Sequence, residues 1–266
     1  MTSISRSDTP ALTRLVRGTG PGVLLAHGGG GGAEANFGPL LDGLAAEYTV
    51  VGPDYPGAGR TPRSTRPLDI DVLADQLVAA AVEEGLDTFA VVGYSMGAPL
   101  AVRAARRHPD RVRALVLTAG FAVAGPRLRH AVRLWKGLLE HGDEALLGSF
   151  LTIIAGGVPY LDGLSGEQID GIAAHTARTV PSGTPEHVDL AGRMDVRADL
   201  PHIAVPTLVI STTEDLLATP ASQRELAEGI PAARLVDIDT GHLPFVEQPE
   251  QWSKLIHGFL GEVHRR

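Results

Sequence analysis

The segment Val91-Val92-Gly93-Tyr94-Ser95-Met96-Gly97-Ala98 restricts what this chain can fold into more than any other. Its β-branched residues read as the end of a buried strand, and Ala98 to Arg107 reads as a helix, so the serine falls on the joint. Gly-x-Ser-x-Gly in that context makes a sharp, strained turn that lifts a serine hydroxyl above a sheet. Gly93 and Gly97 remove Cβ atoms where the flanking chain and a neighbouring strand would approach too closely. The N–H of Met96, at the helix start, would face the same point as the hydroxyl. A strand–turn–helix joint with a serine cap gives the same pentapeptide, so the decision rests on what the rest of the chain supplies.

Around this joint strands and helices alternate. Val23 to Ala26 is a short buried strand that runs into His27 and the glycines Gly28 to Gly32. Ordering five glycines costs conformational entropy, so the run is either a flexible surface linker or a loop that something approaches closely. Its place between a buried strand and the amphipathic stretch Phe37 to Ala46 favours close approach. Tyr48 to Val51 is the next strand, followed by the turn-rich loop Pro53 to Arg60. A helix over Ile70 to Glu84 stops at Gly85, and Val112 to Thr118 is a strand beyond the elbow helix. This rhythm indicates the α/β class, with a mostly parallel sheet covered on both faces.

From Phe121 to Leu190 the rhythm breaks into helical pieces at Leu128 to Glu140, Glu144 to Ile154 and Gly166 to Thr179, interrupted by Gly156-Gly157, Pro159, Pro181, Gly183 and Pro185. We read residues 121–190 as a helical cap inserted over a core of residues 1–120 and 191–266. The sheet resumes at Pro206 to Ser211, then come a helix (Pro220 to Gly229), a strand (Arg234 to Ile238) and a closing helix (Pro249 to Val263). Residues 1–20 are expected to form a short edge hairpin, with Leu12 to Val16 as one strand and Gly18-Thr19-Gly20-Pro21 as its turn.

A chain of 266 residues can bury one large core without disulfides, and it has no cysteine to form them, nor a thiol nucleophile or Cys-ligated zinc. The formal charge of −8 disfavours a nucleic-acid partner. The one basic cluster, Arg103, Arg106, Arg107, Arg111 and Arg113, reads as a solvated helix end. With no signal-peptide-like start and no uninterrupted apolar run long enough to span a bilayer, a soluble cytoplasmic protein with no membrane partner is expected. No oligomeric state is encoded legibly.

Serine is a poor nucleophile at neutral pH and needs a base within hydrogen-bond reach, itself held by a third group. Asp215 follows a buried strand five residues beyond Ile210, and His242 lies directly after the last strand in Asp239-Thr240-Gly241-His242-Leu243-Pro244. In a parallel sheet both loops emerge at the carboxyl ends of strands, where ligands bind.

Taken together, His27-Gly28-Gly29, Asp54-Tyr55-Pro56-Gly57-Ala58-Gly59, Gly93-Tyr94-Ser95-Met96-Gly97, Asp215 and Gly241-His242 resemble, in order and spacing, the α/β-hydrolase superfamily over nearly the whole chain. The resemblance implies that fold, with Ser95 as nucleophile, His242 as general base and then acid, Asp215 as its orienting carboxylate, and the N–H groups of Met96 and Gly29 as an oxyanion hole. It implies hydrolysis of a carboxylic ester or lactone of a small, partly apolar substrate, with no metal or organic cofactor. A serine at the elbow argues against the branches with a carboxylate nucleophile. Thr212 stands where the family often has glycine, and Glu214 adjoins Asp215; spacing from the strand and from Pro220 favours Asp215 as the acid. The same fold also hosts C–C hydrolases, perhydrolases, elimination or cyclisation lyases, and non-catalytic small-molecule receptors.

Phe37, Trp135 and Tyr160 are candidates for the wall of a substrate pocket, although aromatic residues in helices more often belong to the core. His27 and Asp54 read as residues that fix loops. His108, His130, His141, His175 and His187 show no metal-ligand spacing.

Overall fold

In a computed structural model, the described residues are 11–231 and 233–265. Seven strands form one sheet: β1 (Arg14–Arg17), β2 (Gly22–Ala26), β3 (Thr49–Pro53), β4 (Phe89–Tyr94), β5 (Val112–Thr118), β6 (Thr207–Thr212) and β7 (Ala233–Ile238), in the order β1-β3-β2-β4-β5-β6-β7. All pairings are parallel except β1 with β3. The strands that read as unbroken apolar runs are the interior ones, with β2 and β6 buried at every position. On the outer edge β7 carries Arg234 and Asp237 and is largely exposed, a pattern that discourages further strand pairing.

On the faces lie α1 (Ala33–Ala45), α2 (Ile70–Glu83), α3 (Gly97–Arg107), α9 (Pro220–Gly229) and α11 (Pro249–His264), with the short α10 (Pro244–Glu247) before the last. One face buries Leu73, Leu77, Leu100 and Leu226; the other buries Phe37, Leu40, Leu44, Trp252 and Ile256. Each side chain of this size stabilises by roughly 1.5–3 kcal/mol relative to exposure. Trp252 illustrates how the second layer is locked. It stacks on Phe37 at 6.0 Å between ring centres, and its indole N–H donates to Thr118 Oγ1 at 3.0 Å.

The expected N-terminal hairpin is not what forms. Residues 1–10 lie outside the described residues. The strand at 14–17 pairs with β3 rather than with the segment after it, because both edges of β2 are already taken, by β3 and β4. Gly18 to Pro21 therefore carries the chain over β3 to reach β2.

Five helices occupy the stretch between β5 and β6: α4 (Pro126–His141), α5 (Glu144–Ala155), α6 (Val158–Asp162), α7 (Gly166–Thr179) and α8 (Thr184–Ala191). The chain enters and leaves this insertion through a short antiparallel stitch, where Ala124 N–H donates to Met194 O and Val196 N–H to Ala122 O. Sequence reading missed α6, α8 and α10. Pro159, Pro185 and Pro244 lie in the first turns of these helices, where a missing N–H costs nothing, and they start the helices rather than interrupt them. No helix among the described residues is long and apolar enough to cross a membrane.

Of the basic cluster, Arg103 pairs with Asp71 and Asp199, Arg107 with Asp71 and Asp75, and Arg111 with Asp87. Arginine bonding holds the Asp75 carboxyl below its usual range.

Candidate active site

Strand β2 has its onward connection on one side of the sheet and β4 on the other, so the crevice between their carboxyl ends is the natural ligand position. Ala26 is directly opposite Gly93, which brings the glycine loop beside the elbow.

At the elbow Ser95 has φ +54°, in the left-handed region that a side chain rarely adopts. The surroundings impose it. A Cβ on Gly93 would come within 2.5 Å of Gly97 O, and one on Gly97 would overlap the carbonyl oxygen of Ala26, so backbone fills both places. Ser95 N–H donates to Thr118 O at 2.9 Å, tying the turn to the next strand.

Ser95 Oγ lies 2.8 Å from His242 Nε2, and His242 Nδ1 lies 2.7 Å from Asp215 Oδ2. The carboxylate can only accept, so Nδ1 carries the proton and Nε2 accepts from the serine hydroxyl. Asp215 is 2% exposed and His242 5%. Every lone-pair direction of Asp215 is used: Oδ1 accepts from the N–H of Leu217 at 2.8 Å and of Ala218 at 2.9 Å, and Oδ2 also accepts from Thr212 Oγ1 at 2.9 Å. Thr212, the departure from glycine, thus supplies a hydroxyl to the carboxylate. Gln223 Nε2 in turn donates to Thr212 Oγ1 at 2.8 Å and to Ala218 O at 2.6 Å. Glu214 is not in this set. Tyr94 OH donates to His242 O at 2.8 Å and fixes the histidine from the elbow side.

The glycine run is packed, not loose. Gly28 N–H donates to Asn36 Oδ1 at 2.9 Å, and Gly30, with φ +72°, lies under Trp135, whose Cζ2 would be 2.8 Å from a Cβ there. Among the described residues the N–H groups of Gly29 and Met96 have no acceptor. Both residues border the same cavity as Ser95. Behind the loop, His27 stacks on Tyr55 at 3.6 Å, accepts from Tyr55 N–H through Nε2 at 3.0 Å and donates from Nδ1 to Gly28 O at 2.8 Å. Burial pushes its pKa down to about 3, so it stays neutral and takes a fixing role. Asp54 accepts from Ala33 N–H at 2.9 Å and packs against Gly59. His187, from α8, donates to Pro56 O at 2.9 Å and receives the Gly30 N–H at 3.4 Å, and burial lowers its pKa as well.

Above Ser95 the insertion and the sheet edge enclose a cavity of about 690 Å³. Trp135 and Tyr160 line it. Phe37 does not: it faces the opposite way, fully buried against Trp252, because its helix uses that side to cover the sheet. No Asp, Glu, Lys or Arg is among the lining residues, and their exposed surface is mostly apolar. No cluster of three or more His, Asp or Glu among the described residues could hold a metal ion.

Sequence reading passed over Gln223, Asn36, His187 and Glu247. Only Asn36, four residues beyond the glycine run, had a signal in the sequence, as a small amide at the start of a helix.

Residues 21–249 match the family model of the alpha/beta hydrolase fold. The chain belongs to that family. It is 32% identical over 250 residues to pyrrolizixenacetamide deacetylase of Xenorhabdus hominickii, with 92% of each chain covered. It is also 32% identical over 253 residues to pimeloyl-[acyl-carrier protein] methyl ester esterase of Neisseria meningitidis serogroup C, covering 91% of this chain and 94% of that one. Among solved structures, a thermophilic esterase from Thermogutta terrifontis superposes with a TM-score of 0.83 at 26% identity, covering 95% of this chain and 94% of that one.

Proposed function

We propose that the protein hydrolyses a carboxylic ester or lactone of a small, partly apolar, uncharged substrate through an acyl-enzyme on Ser95. The observation that carries this is the hydrogen-bonded series Ser95–His242–Asp215, with steps of 2.8 and 2.7 Å, at the floor of the cavity. Ser95 attacks the carbonyl as His242 takes its proton, and Asp215 holds the imidazole in the right tautomer and stabilises the imidazolium. The N–H groups of Gly29 and Met96 receive the oxyanion; their lack of other acceptors supports that role. His242 then protonates the leaving alcohol and activates the water that releases the acid. The helices of residues 121–190 act as the cap that shapes the pocket. The relatives' names, a deacetylase and a methyl ester esterase, both describe acyl transfer to water and favour the same chemistry.

The test is a pre-steady-state assay with p-nitrophenyl hexanoate together with intact-mass analysis after a fluorophosphonate probe. A burst, steady turnover and a single adduct on Ser95 are expected. Labelling without turnover would favour a lyase or receptor of the same fold, and absence of labelling would remove the mechanism.

A lining without Asp, Glu, Lys or Arg makes a second prediction. Replacing the terminal methyl of the hexanoate by a carboxylate, as in p-nitrophenyl hydrogen adipate, should lower kcat/KM on the order of a hundredfold or more, because an unpaired charge would be buried. Equal kcat/KM for the two esters would refute the uncharged-substrate assignment.

A further inference from the structure

His242 is fastened to the helical insertion as well as to the sheet. Between α5 and α6 the chain turns at Ala155-Gly156-Gly157, and this turn lies against Gly241 and His242. The backbone N–H of His242 donates to Ala155 O at 2.7 Å. The Glu247 carboxylate, at the end of α10, completes the seam: Oε1 accepts from Gly157 N–H at 3.1 Å and Oε2 from Gly241 N–H at 2.9 Å. The two backbones are too close for side chains. A Cβ on Gly157 would come within 2.7 Å of both Gly241 N and Glu247 Oε2, and one on Gly241 would overlap Gly157 N. Glu247 is half-buried, and its polar partners are backbone N–H groups rather than a cation. Burial raises its pKa, and the N–H groups of Gly241 and Gly157 oppose that shift.

We propose that Glu247 is a positioning residue whose carboxylate bridges the His242 loop and the α5–α6 turn, so that the placement of the base depends on how the insertion is seated over the cavity. The inference rests on His242 being the base of the proposed reaction. A carboxylate suits the task because it offers two acceptor oxygens and no donor to two converging N–H groups. Glutamine has the same shape but turns an NH2 toward one of those N–H groups, leaving that buried donor unpaired. The coupling has a route to substrate, since Ala155 and Gly156 line the cavity beside His242, Leu243 and Val246. A substrate pressing on the turn therefore bears on the same hydrogen bonds that hold the histidine backbone.

The test uses the full chain with Glu247→Gln, Gly157→Ala and the two combined. Each single variant should lower kcat on p-nitrophenyl hexanoate on the order of tenfold or more, as expected for a slightly misplaced base. KM should stay within about threefold, because the cavity wall is otherwise intact. Fluorophosphonate labelling of Ser95 should slow by the same factor as kcat. The double variant should lose little more than either single one, because both break one seam. Wild-type kcat in Glu247→Gln, an effect on KM alone, or full additivity would overturn the proposal. Amide hydrogen exchange supplies a readout independent of activity. The Gly157 and Gly241 amides should be protected in the wild type and lose protection in Glu247→Gln, while amides of β4 to β6 keep theirs. Rapid exchange of those two amides in the wild type would also overturn it. If the wild type itself fails to label at Ser95, the mechanism fails and the exchange experiment still decides the seam.

Discussion

Ser95→Ala is expected to lower kcat on p-nitrophenyl hexanoate on the order of a hundred-thousandfold or more, the scale seen when a serine hydrolase loses its nucleophile. The Ser95 hydroxyl lies 2.8 Å from His242 Nε2, and among the described residues no other side chain hydrogen-bonds to that nitrogen. The fold should survive. Alanine tolerates φ +54° about as well as serine does, and the turn is held by backbone contacts to Thr118, Ala26 and Gly97 that do not involve the hydroxyl. Circular dichroism and thermal unfolding should match the wild type while the fluorophosphonate adduct disappears. Turnover within a few-fold of wild type would end the acyl-enzyme route, since residual catalysis from the oxyanion donors alone is far weaker.

Asp215→Asn should lower kcat on the order of ten-thousandfold, the effect expected when the base is held in the wrong tautomer. The amide NH2 or oxygen must satisfy partners that all donate: Leu217 N–H, Ala218 N–H, Thr212 Oγ1–H and His242 Nδ1–H. The two backbone donors claim the oxygen, and the NH2 then faces His242, which turns Nδ1 into an acceptor and Nε2 into a donor toward Ser95. The same mismatch leaves a buried donor unpaired, so unfolding should occur at lower temperature, corresponding to about 1–3 kcal/mol. Glu214→Gln should leave kcat essentially unchanged, because among the described residues Glu214 makes no hydrogen bond or ion pair with His242, whose Nδ1 partner is Asp215. Comparing the two variants in one kcat/KM assay checks the assignment, and the reverse ranking would move the acid to Glu214.

Much of this arrangement is visible in the chain before folding because it is written locally. The elbow needs two glycines at fixed offsets, the buried strands need unbroken apolar runs, and the Ser–Asp–His order is set by which strand each loop ends. Phe37 shows where local reading stops. An aromatic residue in a helix beside the glycine loop points equally well to a pocket or to a core, and only the docking of α11, which brings Trp252 onto it, decides. The pairing of β1 with β3 is of the same kind, since it depends on β2 having both edges occupied. The short helices failed for a different reason: proline and glycine read as interruption, whereas proline in a first turn is a start signal whose meaning depends on the residues after it.

The sequence by itself therefore determined the α/β class, the family, the candidate nucleophile and base, and the spacing-favoured acid, because strand periodicity and turn chemistry are properties of neighbouring residues. The tertiary structure alone decided the choice between Asp215 and Glu214 as partner of His242, the service of Thr212 and Gln223 to that carboxylate, and a cavity wall without Asp, Glu, Lys or Arg. It also revealed the seam from Glu247 to Gly157 and Gly241. These are contacts between residues up to 90 positions apart, and hydrogen bonds of 2.7–3.1 Å across such separations exist only after the sheet and the insertion have packed.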